Sequence, residues 1–258
     1  TEDGRVIREV TLNHPETYTT ETVLVQKKDD ELSILAKSDD LPSNFRPGQI
    51  LLEWSAFRDG LVYSKLTNNT QTYRLQNSEA VEIGTAGNSF PGIPGPIAMI
   101  TSFKSSQRLI VMSAVRQLVG NNQVYGFYGW SGGRWFTIAE DGMEAPGGGV
   151  YDDLFANPVI ASLDNDSFVF EGLTSLGVQR AFLYHQGIVT PILTTGQVID
   201  GSPLSSFSIF DHSLSGSRMA FTASFASGAQ RAVYVAELSS LMTDASRQVP
   251  VNIEIAAG

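Results

Sequence analysis

Two carboxylates, Glu53 and Asp211, stand in short apolar segments and are each followed by a ring, Trp54 and His212. A pair of carboxyl groups about 5–10 Å apart hydrolyses glycosides, one as the acid and the other as nucleophile or base. The same residues can also hold a ligand without reacting, since carboxylates accept hydrogen bonds and an aromatic face suits sugar stacking. Glu53, Trp54, Asp211 and His212 are therefore the candidate binding residues. No catalytic residue, metal ligand or cofactor is assigned.

Other groupings read as structure. Gly129-Trp130-Ser131-Gly132-Gly133 has the spacing of a hydrolase nucleophile elbow, which requires a strand-to-helix turn. Here it lies between a strand ending at Tyr128 and one starting at Arg134, so a hairpin loop is expected. Asp211-His212-Ser213 holds the residue types of a triad. Strand alternation, however, puts Asp211 and Ser213 on one side and His212 on the other. Three histidines and no cysteine argue against a histidine-rich or thiolate metal site, and His14 and His185 are expected at the solvated surface. Asp164-Asn165-Asp166 resembles the opening of a calcium loop but lacks its glycine and distal glutamate, so it is expected to be a turn. Asp39-Asp40 and Asp152-Asp153 read as solvated loop acids. Trp54, Trp130 and Trp135 would suit sugar stacking, although Trp135 alternates like a packed residue.

These side chains depend on a repeated scaffold. Val6-Ile7-Arg8, Val62-Tyr63-Ser64, Val111-Met112-Ser113, Val169-Phe170-Glu171 and Ala220-Phe221-Thr222 recur 49 to 58 residues apart. A second set keeps step with the first: Thr22–Val25, Thr72–Leu75, Val124–Phe127, Ala181–Tyr184 and Ala232–Val235. Fourth segments follow at Leu32–Ala36, Ala80–Gly84, Arg134–Ala139 and Ile188–Leu193. First segments are Ile50–Trp54, Ile97–Thr101, Val159–Ser162 and Ser208–His212. The segments are short and rich in β-branched and aromatic residues, and turn residues separate them, as in strands. One long Gly/Pro/Asp-rich connection falls in each repeat. The only helical spacing is Leu238, Leu241 and Met242, within Leu238–Ala245.

A period of about fifty residues with four antiparallel strands predicts a β-propeller. The expected architecture is all-β: a five-bladed β-propeller of four-stranded antiparallel blades, in one domain of residues 1–258. The N-terminal blade lacks a first strand, and Val251-Asn252-Ile253-Glu254-Ile255 is left over. This segment is expected to become the innermost strand of that blade, so that the C-terminal strand closes the ring.

Composition narrows the function. The net charge is −10 with a pI near 4.7, which disfavours nucleic acid and anionic membranes as partners. No apolar run reaches the roughly 18 residues of a spanning helix. The chain opens on Thr1 rather than methionine, so a removed export signal and an extracellular or periplasmic location are expected.

The sequence resembles bacterial tandem-repeat propellers. The residues that carry the resemblance are Ala145-Pro146-Gly147-Gly148-Gly149, Phe155, Pro158 and Ser167-Phe168-Val169-Phe170-Glu171-Gly172. The resemblance implies an exported or surface-associated repeat protein, and it brings no catalytic residues. The expected function is a non-enzymatic interaction module that binds a protein or polysaccharide. The alternatives are a carbohydrate-binding lectin, or a glycoside hydrolase with Glu53 and Asp211 as its carboxylate pair.

Overall fold

A computed structural model describes residues 6–14, 19–28, 31–37, 54–57, 60–67, 70–76, 80–106, 108–154, 162–226, 232–243 and 252–255. They form antiparallel sheets that follow one another along the chain. The first contains β1 (Val6–His14), β2 (Thr19–Lys28) and β3 (Glu31–Lys37). The second contains β4 (Trp54–Phe57), β5 (Gly60–Thr67), β6 (Thr70–Gln76) and β7 (Ala80–Thr85). The third runs through β8 (Ile97–Ser105), β9 (Ile110–Gln117), β10 (Gln123–Ser131) and β11 (Arg134–Glu140). In the fourth, β14 (Ser167–Thr174), β15 (Gln179–His185) and β16 (Ile188–Thr194) follow an inner edge made of two pieces, β12 (Tyr151–Asp153) and β13 (Ser162–Asp164). The fifth orders β17 (Val198–Ile199), β18 (Ser202–Ser215), β19 (Arg218–Phe225), β20 (Ala232–Glu237) and β21 (Asn252–Ile255). Helix is confined to one turn of 3₁₀ at Val119–Asn121 and to α1 (Ser239–Thr243) among the described residues.

The third and fourth sheets are packed on both faces. On β14, Phe168 and Phe170 join the cluster shared with the third sheet, and Val169 joins the one shared with the fifth. On β9, Val111 faces the fourth sheet, while Ile110, Met112 and Ala114 belong to the cluster with Ile83 of the second sheet and Phe90 of the connection after it. Successive strand residues point to opposite faces, so a continuous apolar run fills two cores at once. Phe168 and Phe170 stack with centroids 5.2 Å apart, as do Phe170 and Phe182.

A bulge recurs between the last two strands of each of the first four sheets. It falls at Leu24/Val25, Tyr73/Arg74, Phe127/Tyr128 and Ala181/Phe182. The unpaired residue is a branched aliphatic each time: Leu35, Ile83, Ile138 or Ile192. An extra residue bends the strand and increases its twist. Ile83, Ile138 and Ile192 are all buried, so these three bulges also add a side chain to a core.

The C-terminal strand corrects an expectation. β21 pairs with β20, with Ile253 opposite Ala236 and Ile255 opposite Tyr234, and so forms the outer strand of the fifth sheet. It therefore does not close a ring through the N-terminal sheet. The cause lies in the preceding turn, where Leu238 and Leu241 bury themselves in the last core and Leu238 N donates to Ser217 O at 2.6 Å. The chain is turned back along β20, and the apolar members of β21 fall opposite buried Ala236 and Tyr234. Val251 lies outside the described residues.

Candidate functional site

The inner edge of the fifth sheet is irregular. Ile209 pairs with Phe221 and Leu214 with Met219, so Phe210, Asp211, His212 and Ser213 stand against the single residue Ala220. His212 takes φ +58, a left-handed conformation that a non-glycine residue rarely adopts. The bulge pushes side chains into solvent: His212 is 91% exposed and Phe210 49%. Bulges and strained residues gather where a side chain is aimed at a ligand.

Neighbouring inner edges converge on this bulge. Leu214 N donates to Ser162 Oγ at 2.7 Å, and Gly216 N to Asp164 Oδ2 at 2.6 Å, fixing β18 against β13. Ser106, just after β8, donates to the carbonyl of Asn165. Lys104 of β8 forms an ion pair with Asp211, reaching from the third sheet to the fifth. Partial burial works against ionisation of Asp211. Even so, the hydrogen bond and charge of Lys104, aided by His212, hold its carboxyl below the usual carboxylate range. Ser102 Oγ and Ser213 Oγ, on the same two strands, are buried without a hydrogen-bond partner.

Of the four candidate residues, Asp211 and His212 are brought together, with His212 Nε2 3.7 Å from Asp211 Oδ1. Glu53 lies outside the described residues. Trp54 begins β4 opposite Tyr63, and its side chain is also outside them. Strict alternation through Asp211-His212-Ser213 fails, because the bulge lets Asp211 and His212 share one side. No relay results, since Ser213 Oγ is unpaired. The sequence reading missed Lys104 and Phe210.

The remaining groupings have structural roles. Ser131 pairs with Arg134 across a two-residue loop, Gly132-Gly133, with both glycines at positive φ; the expected hairpin is present. Trp135 is buried, donates Nε1–H to Ile83 O at 2.7 Å and meets Phe90 edge-on; Trp130 is half-buried against the same cluster. Asp164, Asn165 and Asp166 form a turn in which Asp164 bonds to Gly216 N and Asp166 accepts from Gln186 Nε2. His185 is half-buried rather than free in solvent: its Nδ1 lies 2.8 Å from Ser167 Oγ and 3.6 Å from Asp166 Oδ1. One nitrogen faces both groups, so this trio cannot pass a proton from serine through the ring to the carboxylate. Asp152 is exposed and Asp153 half-buried; Asp39 and Asp40 lie outside the described residues. No three His, Cys, Asp or Glu side chains among the described residues converge to hold a metal. No helix of the described residues is long and apolar enough to cross a membrane.

No family model matches the chain, and no curated protein does. Among solved structures, an acylaminoacyl peptidase of Pyrococcus horikoshii is similar at 11% identity and a TM-score of 0.47, over 90% of this chain and 36% of that one. This chain thus spans little more than a third of the peptidase. The β-propeller domain of the Trilobed protease of Pyrococcus furiosus is similar at 8% identity and a TM-score of 0.35, over 98% of this chain and 82% of that one. The Aleuria aurantia lectin, described as a six-bladed β-propeller with a fucose recognition mode, is similar at 10% identity and a TM-score of 0.31, over 99% and 79%. β-Propeller proteins are thus among the chain's structural neighbours.

Proposed function

We propose that the protein is a non-enzymatic interaction module, a single-domain five-bladed β-propeller that binds a protein or polysaccharide partner outside the cytoplasm. The radial arrangement is supported by the ion pair between Lys104 and Asp211. Packed sheets lie roughly 10 Å apart, so a flat stack would hold the third and fifth sheets about 20 Å apart. Direct contact between their inner edges suits blades that taper toward an axis.

The observation that carries the binding reading is the bulge, where strained His212 is displayed with Phe210 and Asp211 beside the Lys104 ion pair. An exposed aromatic, a carboxylate and an imidazole offer stacking and hydrogen bonds to a partner entering along the axis. The hydrolase alternative asks one carboxyl for a raised pKa and the other to stay ionised, and the lowered pKa of Asp211 suits only the second of these roles. A glycan array and a panel of chromogenic glycosides test both readings. A glycan bound by the wild type and lost in Phe210→Ala and Asp211→Ala supports recognition at the bulge. Glycoside turnover abolished by Asp211→Asn would replace this reading with catalysis.

A further inference from the structure

The connections at the opposite strand ends form one continuous face. Asp141 N donates to Tyr125 O at 2.9 Å, which ties the β11–β12 connection to the start of β10, just after the turn bearing Val119. Ser175 N donates to Val150 O at 2.8 Å, and Thr195 N to Gln179 O at 3.0 Å, joining the β14–β15 and β16–β17 connections to it. Large apolar side chains stand out along this face: Val119 at 97% exposure, Leu176 and Val198 at 62% each, and Met143. Scattered singly these would be ordinary, but here they share joined loops.

The charge of the same stretch is one-sided. Between Arg134 and Arg218 there are ten Asp and Glu residues, five of them at this end of the strands, and one Lys or Arg, Arg180. Arg180 is turned inward, its guanidinium donating to Gly148 O at 2.6 Å and Gly147 O at 3.0 Å. Gly147, Gly148 and Gly149 all take positive φ, and the first two present those carbonyls. Asp141, Glu144, Asp152, Asp153 and Asp200 therefore share the loop face with no outward Lys or Arg among its described residues. They are spread along it rather than gathered about a point, which suits spaced cations better than a single metal ion.

We infer that this loop face docks a basic polypeptide segment carrying apolar side chains, with Val119, Leu176, Met143 and Val198 as the apolar footing and Glu144, Asp152 and Asp200 as the charge partners. The inference rests on the interaction-module reading and uses residues other than the bulge. Acidic surroundings steer a basic partner and set its orientation, while desolvated apolar anchors supply most of the affinity.

Fluorescence anisotropy on the full chain tests it with a short amphipathic Lys/Leu peptide, a Lys/Ser peptide of equal charge and a Glu/Leu peptide. Saturable binding is expected for Lys/Leu alone. Leu176→Ser with Val119→Ser, and separately Glu144→Lys with Asp200→Lys, should each weaken it about tenfold or more, whereas Asp211→Ala leaves it unchanged. Equal binding of Lys/Ser and Lys/Leu, or binding indifferent to Leu176→Ser, would overturn the inference, leaving unspecific charge attraction. Loss of binding in Asp211→Ala but not in the loop variants would move the partner to the bulge and overturn the loop face. Circular dichroism of each variant shows that it is folded.

Discussion

Replacing Arg116 by methionine probes how far the third sheet depends on a buried charge. Arg116 Nε donates to Glu140 Oε1 at 2.6 Å and Nη2 to Oε2 at 2.7 Å; Tyr128 Oη donates to Oε1 at 2.6 Å, and Arg116 Nη1 reaches Pro94 O at 2.8 Å. Glu140 and Tyr128 are both buried. The hydrogen bonds and charge of Glu140, partly offset by burial, raise the pKa of Arg116 further above its ordinary value. Methionine keeps most of the aliphatic stem but removes the two bonds to Glu140, of about 1.5–3 kcal/mol each, and the one to Pro94 O, leaving the carboxylate to Tyr128 alone. The expected loss is about 3–5 kcal/mol, the range for breaking one side of a buried pair. At roughly 2–4 °C per kcal/mol for a domain of this size, about 3 kcal/mol lowers Tm by some 6–12 °C. Urea unfolding followed by circular dichroism measures it. The double variant Arg116→Met/Glu140→Leu should recover much of the loss, because no buried charge is then stranded. A single variant within about 1 kcal/mol of wild type, or a double variant whose losses simply add, would refute the view that Glu140 depends on Arg116.

A methyl group at Gly84 would lie 1.9 Å from the Phe90 ring, so Gly84→Ala should cost about 1–3 kcal/mol in urea unfolding, with partial rescue by Phe90→Leu. Glu237 accepts from Ser217 Oγ, Ser239 N and Arg218 Nε, and the side chains of Ser217, Ser239 and Arg218, in that order of influence, lower its pKa to about 2. Its stabilising effect is thus complete above its ordinary value near 4.5 and is lost as pH falls toward 2; Ser217→Ala should move its NMR titration upward, and an unmoved midpoint would deny the hydrogen bond that role. Lys104→Met should raise the Asp211 titration toward the usual carboxylate range, and no change would mean the ion pair does not form in solution. Ser131→Ala should fold and melt like the wild type, and a fluorophosphonate probe should leave Ser131 unlabelled.

The sheets were legible because each must satisfy two neighbours. Phe168 and Phe170 serve one core and Val169 the other, so the two-residue period assigns both faces from one run. The bulge in β18 left a trace that went unread. Phe207 and Ile209 are buried at odd positions and Leu214 at an even one, so the alternation changes phase across the polar residues between. Carrying one phase through them put His212 on the wrong side. Lys104 left no trace, since its partner is 107 residues away and belongs to a non-adjacent sheet. The alternation of β21 fits either edge of a sheet, and burial of Leu238 and Leu241 decided between them.

Because β21 completes the fifth sheet from its own stretch of chain, the sheets from the second to the fifth are each drawn from one uninterrupted segment. A sheet shared between both ends of a chain ties copy number to its termini, and any gain or loss of a repeat must preserve that shared member. Here each of these sheets has the boundaries of one sequence repeat. A single in-frame excision or insertion of about fifty codons would remove or add a whole sheet without splitting any other.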